Sequence, residues 1–363
     1  MPRYLTARSS LHVRRYLASL VGALLVFYST IIAFNFTVDP YGIYYQTALI
    51  EEDKSRPGRE LRMREVKLRA IENVRPDSII LGTSRSNRAF NPQHKAFRGA
   101  TAYNASLTAA NIYEARQVLE YAIAVAPVRQ VILAADFLMF NTSRLKPSII
   151  EHEQLVPNGN VGIRIHATRL GGNLLSLNAI FSSIETIKRI EAPCPADQPF
   201  IAITGRWGFE RIEMCGGITS PSKFAWVFGP LLRSDGFGDA TYHQFSFVNA
   251  EKGFDSWIEY AKILRIAHEN GIDLRIVIPP IHAWQLELIH AIGLWDDFEF
   301  WKAEMARLNE EQARQEAPFP IWDFAVYNEY TTEAVRTDRP GSIGMRWFVE
   351  NSHMRPEFGD FVL

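Results

Sequence analysis

The first forty positions separate sharply into charged and apolar. No charged residue occurs between Arg15 and Asp39, and most positions from 17 to 34 are aliphatic or aromatic. A span of ~20 such residues crosses a bilayer. A cleaved secretory leader has a shorter apolar region, ~7–15 residues, and ends in small residues. Ala33-Phe34-Asn35-Phe36 does not fit such a cleavage site. The pattern therefore predicts an uncleaved anchor over 16–38. Arg3, Arg8, Arg14 and Arg15 precede it without any acid. The positive-inside rule then makes 1–15 a cytoplasmic tail and puts everything after Asp39 on the extracytoplasmic side of an inner (cytoplasmic) membrane, the periplasm in a Gram-negative cell.

Beyond the span the apolar runs are short. Residues 39–75 read as a polar connector, with a charged helix over 59–73. Ser78-Ile79-Ile80-Leu81 ends at Gly82, and Val131-Ile132-Leu133-Ala134-Ala135 and Leu274-Arg275-Ile276-Val277-Ile278 are similar runs. Apolar runs of this length, the third interrupted only by Arg275, predict buried strands. Pro320-Ile321-Trp322 is a weaker fourth. Helical spacing marks 109–125, 254–269 and 298–315. Strands alternating with helices predict an α/β fold, a parallel sheet with helices on both faces, over 76–363. Residues 141–245 are rich in Gly, Pro and aromatics, lack clear periodicity, and read as an irregular insertion near the mouth of a pocket.

Composition narrows the function classes. The chain has 363 residues, 47% hydrophobic and 22% charged, with a net charge of −1, so nothing global points to nucleic acid. No zinc-type Cys/His spacing occurs, and no metal or cofactor is implied. The two cysteines, Cys194 and Cys215, both fall in the irregular stretch. In an oxidising compartment they are a disulfide candidate, the alternative being two buried thiols.

The candidate chemistry lies at opposite ends of the domain. Ile80-Leu81-Gly82-Thr83-Ser84-Arg85-Ser86 places a serine just past a buried strand, at the carboxyl edge of the sheet. A serine needs a base to act as a nucleophile, and the base needs an orienting group. Glu350-Asn351-Ser352-His353 supplies a histidine with a carboxylate three residues before it. The plain alternatives are a turn with a helix cap and a surface histidine. His282, in Pro279-Pro280-Ile281-His282, follows the third strand and reads as a pocket-edge or structural histidine. Arg85 and Arg88 are candidates for holding an anionic substrate. Trp301, Trp322 and Trp347 read either as core or as a sugar-stacking surface.

Gly82-Thr83-Ser84-Arg85-Ser86 and Glu350-x-x-His353 resemble the first and last blocks of SGNH/GDSL hydrolases, Gly-Asp-Ser-x-Ser and Asp-x-x-His. The resemblance covers about 76–140 and 250–363. It is closest to membrane-anchored, extracytoplasmic SGNH-like proteins that move acyl groups in envelope or exopolysaccharide decoration, such as those of alginate O-acetylation or D-alanine transfer to teichoic acid. It implies a three-layer flavodoxin-like fold, Ser84 as nucleophile, His353 as base and Glu350 as acid. It also implies a carbohydrate polymer or acyl donor as partner, beside other membrane proteins of an envelope complex. Two positions depart from the family. Ala109 stands where a glycine N–H usually meets the oxyanion. Asp136 stands where an Asn side chain is usual, and an ionised Asp only accepts. Asn104, Asn111 and Asn141 are alternative donors. Two functions follow: a serine esterase or O-acyltransferase, or a catalytically inactive binding or assembly protein.

Overall fold

A computed structural model describes residues 3–44, 56, 58, 62–97, 99–142, 172–189, 200–201, 206–207, 245–313, 316–335, 345–349 and 351–363. Helix α1 runs from Arg3 to Val38, and its segment His12–Val38 is long and apolar enough to cross a membrane. Its end is fixed to the domain. Asn35, fully buried, donates from Nδ2 to the Leu174 carbonyl (2.8 Å) and accepts from Ser183 Oγ (2.7 Å). The Asp39 carboxylate accepts from the backbone N–H groups of Ile43 and Tyr44, and its carbonyl accepts from Arg56 Nε.

The domain is built on a five-stranded parallel sheet. Its strands are β1 (Ser78–Gly82), β2 (Ala102–Asn104), β3 (Gln130–Ala134), β4 (Asp273–Ile278) and β5 (Ile321–Asp323), in the order β2-β1-β3-β4-β5. The three long runs read from the sequence form its centre, paired Gly82 to Ala134 and Ala134 to Val277. Alternate side chains enter two cores, as strand pleating requires. Ile79, Leu81, Val131, Leu133, Ile276 and Ile278 face one layer. That layer holds α2 (Met63–Val74), α4 (Ile112–Val125), α6 (Ser256–Glu269), α7 (Ala283–Ala291) and α8 (Trp295–Ala313). Ile80, Ile132, Ala134 and Val277 face the other, formed by α3 (Ser84–Ala89), α9 (Pro356–Val362) and the segment around Phe348 and Met354.

Several boundaries differ from expectation. β2 is an edge strand too short to show a pattern. The 39–75 stretch carries α2, whose Met63, Val66, Leu68 and Ile71 are buried in the main core. The helix expected from 109 begins at Ile112, because Asn111 and Glu114 form a capping box there. Within 141–245, α5 (Leu177–Arg189) is a regular helix packed on α1.

Candidate functional site

Aligned strand ends bring the chain to one edge. β1 closes at Gly82, and the backbone leaves so tightly that a Cβ there would come within 2.8 Å of the Ala134 carbonyl and nearer still to Ser86 Oγ. Thr83 caps α3, its Oγ1 accepting from Arg85 N at 3.4 Å, and Ser84 is the first residue of that helix. From 269 positions along the chain, His353 places Nε2 2.8 Å from Ser84 Oγ. Its Nδ1 lies 3.0 Å from Ser352 Oγ. With the serine hydroxyl donating to Nε2, the Nδ1–H donates to Ser352. The structure thus brings Ser84 and His353 into direct hydrogen-bond contact. Glu350 lies outside the described residues, as do Cys194 and Cys215.

Arg85 holds this contact together. Its Nε donates to the Ser352 carbonyl (3.0 Å) and its Nη1 pairs with Asp136 Oδ1 (3.2 Å). The Gln285 amide, with its oxygen toward the guanidinium, accepts from Nη2 at 3.2 Å and donates to the Asn351 carbonyl at 3.2 Å. That carbonyl also accepts from the backbone N–H of His282 (3.2 Å). The 351–353 segment is therefore clamped from the β1 and β4 ends. Arg85 is buried within this network, so the reading of it as an anion holder gives way to one of positioning.

Asp136 is equally committed. Thr83 Oγ1 donates to its Oδ2 (2.5 Å), and the backbone N–H of Leu138 donates to Oδ1 (3.0 Å). These donors and Arg85 occupy both oxygens, so Asp136 braces the turn after β3. Asn104 has its amide spent as well, on the carbonyls of Ser86 and Phe90 (both 2.9 Å) and the Ser106 N–H (3.1 Å). Asn111 caps α4. Asn141 Oδ1 accepts from Ser246 N. His282 is buried and caps α7 with Nδ1, while Nε2 lies 2.8 Å from the Glu333 carbonyl, a structural pairing. Ala109 is exposed in the turn between β2 and α4, with φ 53°. That left-handed conformation is the one glycine adopts readily and alanine resists by ~1–2 kcal/mol. The three tryptophans do not form one platform: Trp301 is fully buried, Trp347 packs on Tyr330 and Phe358, and Trp322 is exposed.

Lys67, on α2, was not anticipated. Its ammonium is buried and donates to Asn87 Oδ1 (2.6 Å) and to the carbonyls of Asn104 (2.9 Å) and Ser106. It ties α3 to the loop after β2. Burial pushes its pKa well below the ordinary lysine value, since neutral oxygens repay only part of an ammonium's lost hydration. In sequence it is one of several charged residues of the helix expected over 59–73, with nothing to set it apart. Among the described residues no group of three or more His, Cys, Asp or Glu side chains is arranged to hold a metal. A narrow, mainly apolar recess between Ile278, Ile281, Ile289 and Phe298 reaches Arg85 and Asp136. No protein-family model matches the chain, and no curated protein matches it.

Proposed function

We propose that the chain is a membrane-anchored serine esterase or O-acyltransferase of SGNH type, acting outside the cytoplasmic membrane on an envelope or exported polysaccharide. The observation that carries the reading is the 2.8 Å contact of Ser84 Oγ with His353 Nε2 at the carboxyl edge of a parallel sheet. Ligands of open α/β sheets bind at that edge, and the strand order β2-β1-β3-β4-β5 supports a flavodoxin-like reading of the sheet. The arginines at the start of α1, ahead of its uncharged stretch, support a cytoplasmic N-terminus and an extracytoplasmic domain.

On this reading the steps start from the contact of Ser84 with His353. Ser84 Oγ attacks an ester carbonyl as its proton passes to His353 Nε2. The tetrahedral oxyanion collapses, the alcohol leaves with the proton from Nε2, and an acyl-Ser84 remains. Water or a sugar hydroxyl then gives its proton to Nε2 and attacks the acyl carbon; as the second tetrahedral intermediate collapses, Nε2 returns that proton to Ser84 Oγ, which leaves, and the acid or new ester departs. Ser352 orients the imidazole through Nδ1, and Glu350 is the acid the resemblance implies. With Asp136 and Asn104 engaged elsewhere, backbone N–H groups of Ser84 and Ala109 are the candidate oxyanion donors.

A second reading has its own observation. Asp136, tied to Arg85 and Thr83, offers no side-chain donor where the resemblance expects Asn, which favours a domain that binds without turnover. Treating the full-length chain in detergent with a fluorophosphonate probe separates the two. The enzyme reading expects covalent labelling abolished by Ser84→Ala and sharply slowed by His353→Ala. Absent labelling, or equal labelling of Ser84→Ala, refutes it in favour of binding alone.

A further inference from the structure

Helix α5 is built the wrong way round for water. Its 13 residues carry a strongly one-sided pattern, yet the side turned into the protein holds Ala179, Ser183 and Thr186, all fully buried. The large apolar residues point outward: Leu177 is 71% exposed, Phe181 64%, Ile184 39% and Ile187 45%. Positions 177, 181, 184 and 188 recur at helical spacing, so this side is one stripe, continued at its end by the aliphatic stem of Lys188. A helix on a soluble domain presents the opposite arrangement, apolar inward and polar outward.

The partner on the inner side explains the inversion. Small residues let helix backbones approach closely where lipid, not water, surrounds a pair. Ser183 of α5 bonds to Asn35 of α1, at the end of the candidate span. The outward stripe of α5 is thus carried on the same helix pair as the exposed apolar surface of α1, which includes Phe27 and Phe36. At about 1.5 Å per residue α5 is about 20 Å long, too short for a hydrocarbon core of about 30 Å. A short amphipathic helix with such a stripe sits in the headgroup–acyl boundary. Asn178 and Glu185 flank the stripe on one side and would lie toward the headgroups.

We propose that α5 is a second membrane contact: it lies in the outer leaflet interface against α1, with Leu177, Phe181, Ile184 and Ile187 in phospholipid. This rests on α1 being a membrane anchor, and it adds that the domain is seated on the bilayer rather than hanging from one helix.

The test is photo-crosslinking of the full-length chain in isolated cell membranes, with 4-benzoylphenylalanine replacing Phe181, Ile184, Asn178 or, in α1, Phe27, one at a time. Both stripe positions are solvent-facing in the protein alone, so either substitution leaves the core intact and each checks the other. The benzophenone inserts into a nearby C–H bond, and intact mass then reports the partner. The expected result is a phospholipid adduct from positions 181 and 184, as from 27, with a several-fold lower yield from 178. Adducts to another protein or to a second copy, equal lipid yield at 178, or no adduct at 181 and 184 while 27 crosslinks lipid would each overturn the proposal and leave the anchor standing. No lipid adduct at 27 would overturn both.

Discussion

Replacing Arg85 by methionine should destabilise the protein through charge left behind. The guanidinium and the Asp136 carboxylate are 8% and 5% exposed and 3.2 Å apart. Removing one member of a buried pair costs ~3–5 kcal/mol, mostly from stranding the other charge. Asp136 keeps its bonds from Thr83 and Leu138 N–H, which lowers the cost. The Ser352 carbonyl loses a charged donor, a bond of the ~1.5–3 kcal/mol kind. The two losses share one side chain and do not add fully, so about 3–4 kcal/mol is the expected total, within the usual range for a broken buried pair. Arg85→Lys should recover little, because one ammonium cannot serve Ser352, Asp136 and Gln285 at once. Adding Asp136→Leu to Arg85→Met removes the stranded charge and should return ~1–3 kcal/mol, the usual coupling of contacting residues. Urea midpoints of the full-length chain in detergent, read by tryptophan fluorescence, measure these three variants and Asp136→Leu alone. A loss below ~1 kcal/mol for Arg85→Met, or a double variant equal to the sum of the singles, would refute the clamp, since either leaves no coupled buried pair.

Other outcomes follow from single contacts. Lys67 has a folded pKa below its unfolded one, so the unfolded chain binds the extra proton between the lowered value and 10.5. Stability should therefore rise with pH through that window, with the full burial penalty present below it. Lys67→Met should flatten this rise, as measured by denaturation midpoints from neutral pH upward. Gly359→Ala should cost ~1–3 kcal/mol by overpacking, because its Cβ would come within 2.6 Å of the Ala89 carbonyl carbon. Limited proteolysis should then show α9 detaching from α3. Ala109→Gly should relieve the left-handed strain and raise stability by up to ~1 kcal/mol, read as a shift in melting temperature.

The central sheet was legible because β1, β3 and the second half of β4 are buried and so read as apolar runs, broken in β4 only by Arg275. Three-residue β2 was not, since its edge position buries too little to leave a pattern. Ser84 and His353 could be singled out because each sits in a short segment of suitable residue types. The clamp around them could not, because Arg85, Gln285 and the His282 backbone meet the 351–353 segment only through the tertiary fold. Asp136 and Asn104 looked like oxyanion candidates by residue type and position, whereas the folded neighbourhood spends their polar atoms on bracing. Helix α5 was hidden inside 141–245 by the Gly- and Pro-containing sequence around it, although its own apolar spacing is helical.

The contact between Ser84 and His353 spans 269 positions of chain. At the synthesis rate of about 5–20 residues per second, the serine emerges roughly 10–50 s before its histidine. During that interval α1 and the β1 turn exist without His353, and the Ser84 hydroxyl lacks its imidazole partner. Completion of the pair is then a late event in synthesis: the contact comes into being only after α1 and every strand of the sheet have been made.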